Sequence, residues 1–102
     1  MSFDEKVWEK CRLIPKGRVS TYKEIAKALN TKAYRAVGAA LKKNPYAPKV
    51  PCHRVISSDG SIGGYKGKRN SMEKINLLRE EGVEIKNNKV VDLEKRLFRL
   101  IR

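Results

Sequence analysis

Apolar residues at helical spacing predict a first helix close to the N-terminus. Ser2 and Glu5 form a capping box at its start, and we expect the helix to end near Leu13, ahead of Pro15. Cys11 lies on the apolar stripe of this helix. We therefore interpret Cys11 as a buried thiol of the core, with a ligand or redox role as the alternative.

Two shorter helices are predicted next, separated by a brief interruption of the pattern. Thr21 and Glu24 form a second capping box, and residues 30–32 break the apolar periodicity that follows it. A third helix is predicted from about Ala33 to Lys43, where Asn44-Pro45 stops it. Two short helices joined in this way are typical of a helix-turn-helix, although many helical hairpins share the pattern.

The third helix has one apolar face and one nearly bare face. Val37 and Leu41 lie one turn apart and are expected to face the core. The opposite face carries two basic and two small residues: Arg35, Gly38, Ala39 and Lys42. Such a surface allows close approach to a nucleic-acid groove or to a neighbouring helix, and its basic residues favour the groove.

The C-terminal part of the chain predicts shorter elements. Residues 44–67 show little helical periodicity, and a loop of this length in a compact domain is usually functional. A fourth helix is predicted around residues 72–78, with Gly82 as its C′ residue.

Two apolar segments, residues 83–85 and 90–91, are predicted to pair as a small hairpin. Asp92 is expected to cap a last helix that extends through Ile101. The predicted architecture is mainly α: a winged helix-turn-helix with a three-helical core and a small β-hairpin wing. We expect residues 1–102 to form a single domain.

The composition indicates where the protein is expected in the cell and which class of partner it is expected to bind. A chain with 40% hydrophobic and 34% charged residues is typical of a globular protein rather than a disordered one. With no apolar run long enough for a bilayer and no signal-peptide core at the N-terminus, we expect a cytoplasmic, nucleoid-associated protein without a membrane partner. The net charge of +13 favours a polyanion such as nucleic acid, with generic solubilising charge as the alternative.

The segment KVPCHRVISSDGSIGGYKG (residues 49–67) places Cys52 beside His53, the single histidine of the chain. A metal site is poorly supported, since the ligands are few and no C-x-x-C pair is present. A cysteine nucleophile needs a base or cation nearby. Adjacent residues of an extended chain point to opposite sides, so His53 need not touch the sulfur of Cys52. Action through a water molecule, with an acid from elsewhere fixing the tautomer of His53, stays open. The alternative is a structural cysteine in a plain turn.

The chain resembles the C-terminal domain of the O6-alkylguanine-DNA alkyltransferases. The resemblance is carried by PCHRVISSDGSIGGYKG, by LLREEG at residues 77–82, and upstream by GRVSTYKEIAKAL and YRAVGAALKKNP. It covers the chain from about Val7 to Val83. The implied reaction is a stoichiometric transfer, in which a cysteine thiolate attacks the alkyl carbon on O6 of guanine and the protein ends alkylated.

This resemblance implies a role for each matching catalytic residue. Cys52 accepts the alkyl group, and His53 acts as its base through a water, oriented by Glu81. Asn44 holds the turn that links the recognition helix to the cysteine loop. Tyr22 presses on the backbone phosphate of the target nucleotide and helps to protonate the leaving guanine at N3.

The resemblance also implies how the DNA is bound, with the recognition helix in the minor groove. Arg35 enters the stack where the flipped guanine had been. Tyr65 and Ser58 contact the extruded base near O6, and the Val55 main chain contacts its edge. The remaining DNA-binding residues are Gly38, Ala39, Lys42 and Gly67. No cofactor or metal is implied, and we expect a monomer that binds double-stranded DNA containing O6-alkylguanine.

Two departures from the family pattern are visible. The usual N-terminal domain of the family is expected to be missing. After Tyr65 the chain has Lys66-Gly67-Lys68 where a second glycine is common, which alters access to the pocket or adds a phosphate contact. The chain also resembles the alkyltransferase-like proteins, which bind alkylated DNA without repairing it and commonly replace the cysteine by tryptophan. Cys52 favours catalysis over that sensor role, and a plain winged-helix module with a structural cysteine is the third interpretation.

Overall fold

The computed structural model of the protein describes residues 1–66 and 71–100. In chain order its helices are α1 (Phe3–Cys11), α2 (Tyr22–Ala28), α3 (Tyr34–Lys42), α4 (Met72–Glu80) and α5 (Leu93–Arg96). Its strands are β1 (Ser20–Thr21), β2 (Val55–Ile56), β3 (Ile85–Lys86) and β4 (Lys89–Val90). A short 3₁₀ turn, Cys52–Arg54, precedes β2. Within these two ranges no helix has the length and apolar character needed to cross a bilayer.

Helix α1 begins at the predicted capping box. The Ser2 hydroxyl accepts a hydrogen bond from Glu5 N (3.2 Å), and Ser2 N donates to Glu5 Oε1 (3.1 Å). These bonds satisfy donors that the first turn of a helix leaves unpaired. The helix ends at Cys11, ahead of the predicted Leu13, and Cys11 is fully buried as expected.

Helix α2 forms only half of its predicted capping box. The Thr21 hydroxyl accepts a hydrogen bond from Glu24 N (3.0 Å), as the pattern predicts. The Glu24 carboxylate, however, accepts a hydrogen bond from Leu100 N (3.3 Å) and lies 3.7 Å from Arg99 Nη1. Glu24 is buried, and its charge is therefore used to hold the C-terminal segment against α2.

Helices α1, α2 and α3 contact one another and form the predicted three-helical core. Asn30 adopts a left-handed conformation (φ 56°) between α2 and α3, at the predicted interruption. Val37 and Leu41 of α3 are buried, as their spacing predicts. The helix-turn-helix is thus confirmed.

Strands β1 and β2 pair in parallel, and the sequence did not predict this pairing. Ser20 lies opposite Val55, and Thr21 lies opposite Ile56. Part of the supposedly irregular segment 44–67 is therefore ordered by backbone hydrogen bonds to the entrance of the helix-turn-helix. Because α2 begins directly after β1, the pairing brings the start of α2 beside the cysteine turn.

The fourth helix and the wing are confirmed with small differences. Gly82 follows α4 in the left-handed conformation (φ 90°), which is the predicted C′ role. Strands β3 and β4 form the hairpin, with Ile85 opposite Val90. Its turn is tighter than predicted, because Asn87 and Asn88 both have positive φ (51° and 61°), as a two-residue hairpin loop requires.

The predicted last helix is wrong in its length. Helix α5 has a single turn, and the left-handed Asp92 (φ 54°) makes no side-chain cap hydrogen bond. The chain then becomes extended, since Val19 N donates to Arg96 O (2.9 Å) and Phe98 N donates to Val19 O (2.7 Å). Bonds to the main chain ahead of β1 thus replace further helical turns. Ile101, which was predicted to lie in this helix, is outside the described residues.

Two clusters of buried side chains hold these elements together. The first lies among α1, α2, α3 and the cysteine turn, and it includes Cys11 and Cys52. The second lies under β2, α4 and the hairpin, and it includes Ile56 and Leu78. Burial of each large apolar side chain contributes about 1.5–3 kcal/mol. The cysteine turn leads into β2, whose Val55 belongs to the first cluster and whose Ile56 belongs to the second, so the turn lies where the two clusters meet.

Candidate active site

Cys52 is the first residue of the 3₁₀ turn and is 6% exposed. Its main-chain N donates to Val50 O (2.8 Å), and Arg54 N donates to Pro51 O (2.9 Å). The assumption of extended backbone at Cys52 and His53 is therefore wrong. The turn follows from Pro51, whose fixed φ (−82°) directs the chain into a tight curve ahead of the sulfur.

Asn44 connects the end of α3 to the cysteine turn. Its Nδ2 donates to Val50 O (2.8 Å), and its Oδ1 accepts from Tyr46 N (2.9 Å). Burial raises the pKa of the Cys52 thiol, while a hydrogen bond from Asn44 and the charges of Lys74 and Lys66 act in the opposite direction. The structure thus brings Asn44 to the place predicted for it, between the helix-turn-helix and the sulfur.

His53 is buried (2% exposed), and its Nε2 lies 3.1 Å from Glu81 Oε2. Burial lowers the pKa of His53, an effect that the Glu81 carboxylate opposes in part. A neutral imidazole whose Nε2 donates to a carboxylate carries its free lone pair on Nδ1. No protein group within residues 1–66 and 71–100 hydrogen-bonds to that buried Nδ1. The ring is therefore oriented as a base.

Glu81 is held by Arg54, which sequence reasoning did not single out. Arg54 Nε donates to Glu81 Oε1 (2.9 Å) and Arg54 Nη2 to Glu81 Oε2 (2.6 Å), while Nη1 donates to Ile14 O (2.8 Å). Burial alone would raise the pKa of Glu81, but the hydrogen bonds from Arg54 and His53 outweigh it and the pKa is lowered. Glu81 is thus an ionised carboxylate. Its position is determined by α4, which it follows, and by the cysteine turn, which carries Arg54 and His53.

Lys74 is a second residue that sequence reasoning missed. It is fully buried in α4, and its ammonium donates to Val55 O (2.7 Å), Ile62 O (2.5 Å) and Gly64 O (3.1 Å). Burial lowers the pKa of Lys74 to about 8, so the side chain is mostly cationic at pH 7. The available signal was its spacing, since Lys74 shares the buried face of α4 with Ile75 and Leu78.

Two tyrosines lie near the cysteine turn. The Tyr22 hydroxyl is 3.3 Å from the point that a Cβ would occupy on Gly63, whose φ is 72°, so this position requires glycine. The Tyr65 ring is 4% exposed and meets the His53 ring edge-on, with centroids 6.4 Å apart. Burial raises the pKa of Tyr22 and raises that of Tyr65 to about 12. Both phenols are therefore neutral donors at pH 7.

The structure places the remaining predicted base-contact residues in different surroundings. Ser58 is exposed in a turn closed by the hydrogen bond from Gly60 N to Ser57 O (3.0 Å). The Ser57 hydroxyl, which was not predicted, lies 3.6 Å from the Cβ point of Gly63. The Val55 carbonyl already accepts the Lys74 hydrogen bond. Gly67 lies outside the described residues.

The predicted bare face of α3 is open in the structure. Arg35, Ala39 and Lys42 are exposed, and no atom lies within 4 Å of a Cβ added to Gly38. No described residue packs as a second helix against this point, so the groove interpretation of the sequence is favoured over the helix-packing one. The described residues also contain no group of three or more His, Cys, Asp or Glu side chains placed to hold a metal ion.

A protein-family model matches most of the chain. Residues 2–83 match the model of the DNA-binding domain of 6-O-methylguanine DNA methyltransferase. The chain belongs to this family. The matched range contains the 3₁₀ turn, the helix-turn-helix and Glu81, and it confirms the resemblance noted in the sequence.

Sequence relatives of this alkyltransferase-family chain include methylated-DNA–protein-cysteine methyltransferases. One from Methanosarcina barkeri is 52% identical over 64 residues, which cover 62% of this chain and 40% of the relative. One from Thermococcus kodakarensis is 49% identical over 83 residues, covering 80% of this chain and 45% of the relative. The chain thus spans less than half the length of these relatives.

Solved structures show the same likeness. The crystal structure of Mycobacterium tuberculosis OGT in complex with DNA matches with a TM-score of 0.72 and 43% identity, over 79% of this chain and 50% of that one. The Schizosaccharomyces pombe Atl1 structure, in complex with damaged DNA containing O6-carboxymethylguanine, matches with a TM-score of 0.82 and 34% identity, over 97% and 99% of the two chains. The alkyltransferase fold thus extends over almost the whole chain.

Proposed function

We propose that this chain is a DNA repair protein that flips O6-alkylguanine out of duplex DNA and transfers the alkyl group irreversibly to Cys52. The observation that carries the proposal is the linked group Arg54–Glu81–His53 beside the cysteine turn, which leaves the Nδ1 lone pair of His53 free. A neutral, oriented imidazole next to a buried thiol is suited to activate a sulfur nucleophile. Membership of the alkyltransferase family supports the same chemistry.

The proposed transfer is a nucleophilic displacement at the alkyl carbon. His53 Nδ1 takes the proton of the Cys52 thiol through one bridging water, and the ionised Glu81 stabilises the resulting imidazolium. The thiolate attacks the alkyl carbon, a C–S bond forms, and the C–O6 bond breaks with its electron pair on the guanine. The Tyr22 hydroxyl, which is neutral because its pKa is raised, passes a proton to N3 of the leaving base. The phenolate so formed recovers a proton from the His53 imidazolium through water, which returns both side chains to their starting forms. The product is an S-alkylcysteine, so each molecule reacts once.

The charge and shape of the helix-turn-helix support the proposed DNA complex. The net charge of +13 attracts the phosphate backbone, and the open face of α3 is suited to the minor groove. The exposed Arg35 is placed near the start of that helix, where its side chain can occupy the space of an extruded base. Tyr65, Ser58 and the Val55 main chain would then contact the base near O6.

A lesion sensor that binds without transfer is the second candidate function. The similarity to S. pombe Atl1, which extends over 97% of this chain, favours it. The presence of Cys52 together with the oriented His53 favours transfer, because a sensor has no need for a base beside a thiol. The presence of a nucleophile therefore makes repair the first choice.

A single-turnover assay decides between these functions. The protein is incubated with duplex DNA that carries O6-methylguanine with a labelled methyl group, and peptide mass identifies the labelled residue. We expect one label per protein on Cys52, and none in the Cys52→Ser control. Tight lesion-dependent binding without transfer would leave the sensor function, and binding without preference for the lesion would leave a plain winged-helix module.

A further inference from the structure

Lys66 follows Tyr65, one of the predicted base-contact residues, and its side chain makes two interactions there. Its ammonium lies 5.3 Å from the centroid of the Tyr65 ring and 3.2 Å from Glu73 Oε2. Lys66 has positive φ (52°), which few residues other than glycine adopt, so the backbone directs the side chain back over Tyr65. The ammonium therefore lies beside an aromatic ring, although about half of the side chain is exposed.

Tyr65 links this cation to the reacting groups. Its ring is buried in the cluster that contains Cys52 and meets the His53 ring edge-on. The charge of Lys66 also acts on Cys52, where it opposes the effect of burial on the thiol pKa. Of the two roles that the sequence left open for the Lys66 segment, an effect on the pocket is therefore favoured over a phosphate contact.

We propose that Lys66 is a specificity-determining residue that favours O6-alkyl groups ending in a carboxylate over neutral groups of the same size. The inference rests on the proposed transfer to Cys52. A thiolate repels an approaching carboxylate, and a cation at the pocket edge offsets this repulsion. Because both Lys66 and Glu73 are more than half exposed (51% and 56%), exchange of Glu73 for a substrate carboxylate costs little.

Two small thiol reagents test the effect of Lys66 without DNA. Iodoacetate and iodoacetamide both alkylate a thiolate with loss of iodide, and they transfer an anionic and a neutral group of nearly equal size. The ratio of their rate constants at Cys52, followed by peptide mass, cancels any change in the thiolate fraction. We expect Lys66→Gln to lower the iodoacetate-to-iodoacetamide ratio about threefold, as for two charges at close range in water.

Two further variants sharpen the result. Glu73→Gln removes the competing carboxylate, so we expect it to raise the same ratio about twofold. Lys86→Gln is the matched control, because Lys86 is also an exposed lysine that faces a glutamate (Glu84, 3.9 Å), and we expect no change in the ratio. An unchanged ratio in Lys66→Gln would overturn the proposal, and an equal loss of affinity for all duplexes would then make Lys66 a phosphate contact.

A DNA assay separates this proposal from the proposed function. Duplexes carry either O6-carboxymethylguanine or its neutral carbamoylmethyl counterpart, and transfer to Cys52 is timed for the wild type and for Lys66→Gln. We expect the preference for the carboxymethyl group to fall about threefold in the variant, as with the reagents. Absence of transfer from both duplexes, with a reagent ratio that still depends on Lys66, would refute alkyl transfer but leave the effect of Lys66 in place. Transfer with preferences that do not differ between the two proteins would refute the role of Lys66 alone.

Discussion

Replacement of Lys74 by methionine tests whether the buried ammonium holds the pocket together. Methionine has nearly the same length but cannot donate, so the carbonyls of Val55, Ile62 and Gly64 would lose their donor. A buried carbonyl left unpaired costs about 2 kcal/mol, which gives about 4 kcal/mol for the buried Val55 and Ile62 carbonyls, because the carbonyl of the exposed Gly64 can pair with water instead. The substitution also removes a buried charge. Since burial lowers the pKa of Lys74 from 10.5 to about 8, this relief is about 3 kcal/mol.

The difference predicts that Lys74→Met lowers the free energy of unfolding by about 1 kcal/mol. The measurement is urea unfolding at pH 7, with Lys6→Met as the control. Lys6 is an exposed lysine of α1, and its substitution is expected to change the free energy by less than about 0.5 kcal/mol. If Lys74→Met were as stable as the wild type, the three carbonyls would not depend on the cation and the reasoning would be refuted.

Three other substitutions test the remaining parts of the site. Arg35→Ala is expected to weaken binding to lesion duplexes more than to undamaged ones in fluorescence anisotropy, because the role proposed for Arg35 is to replace the extruded base; equal losses would identify a phosphate contact instead. Asn44→Ala removes two hydrogen bonds of the cysteine turn and is expected to cost about 2 kcal/mol in urea unfolding and to slow transfer; unchanged stability would contradict this role. The pKa of Glu81 is lowered from 4.5, so its carboxylate stabilises the fold above about pH 4.5, and this contribution is lost as the pH falls further. Glu81→Gln should therefore flatten the acid side of the stability curve, and an unchanged acid side would show that Arg54 and His53 do not depend on the charge.

Helices whose start is encoded locally were predicted well. The capping box at Ser2 and the single cap hydrogen bond at Thr21 join residues three apart in the chain, so the sequence alone locates both helix starts. The pairing of β1 with β2 joins residues far apart in the chain, and two-residue strands have no periodicity to detect. Helix α5 was overestimated for the same reason, since Val19 takes the chain after Arg96 into extended pairing.

The same distinction between local and distant partners applies to the residues of the candidate site. Cys52 and His53 are neighbours in sequence, whereas Glu81 was placed beside His53 only by the family resemblance. Arg54 and Lys74 were missed because their roles depend on partners in other elements. A lysine on the buried face of a helix was nevertheless a usable signal, because an ammonium without solvent must find acceptors.

Helix α4 connects the two packed clusters to the chemistry at Cys52. The C-terminal end of the helix leads into Glu81, which contacts His53, and its first turn carries Lys74, which donates to the carbonyls of Val55, Ile62 and Gly64. Its buried Leu78 belongs to the second cluster, together with the hairpin. A small displacement of α4 would therefore move Glu81 and Lys74 together, so the packing of the hairpin beside α4 bears on the geometry of the proposed transfer.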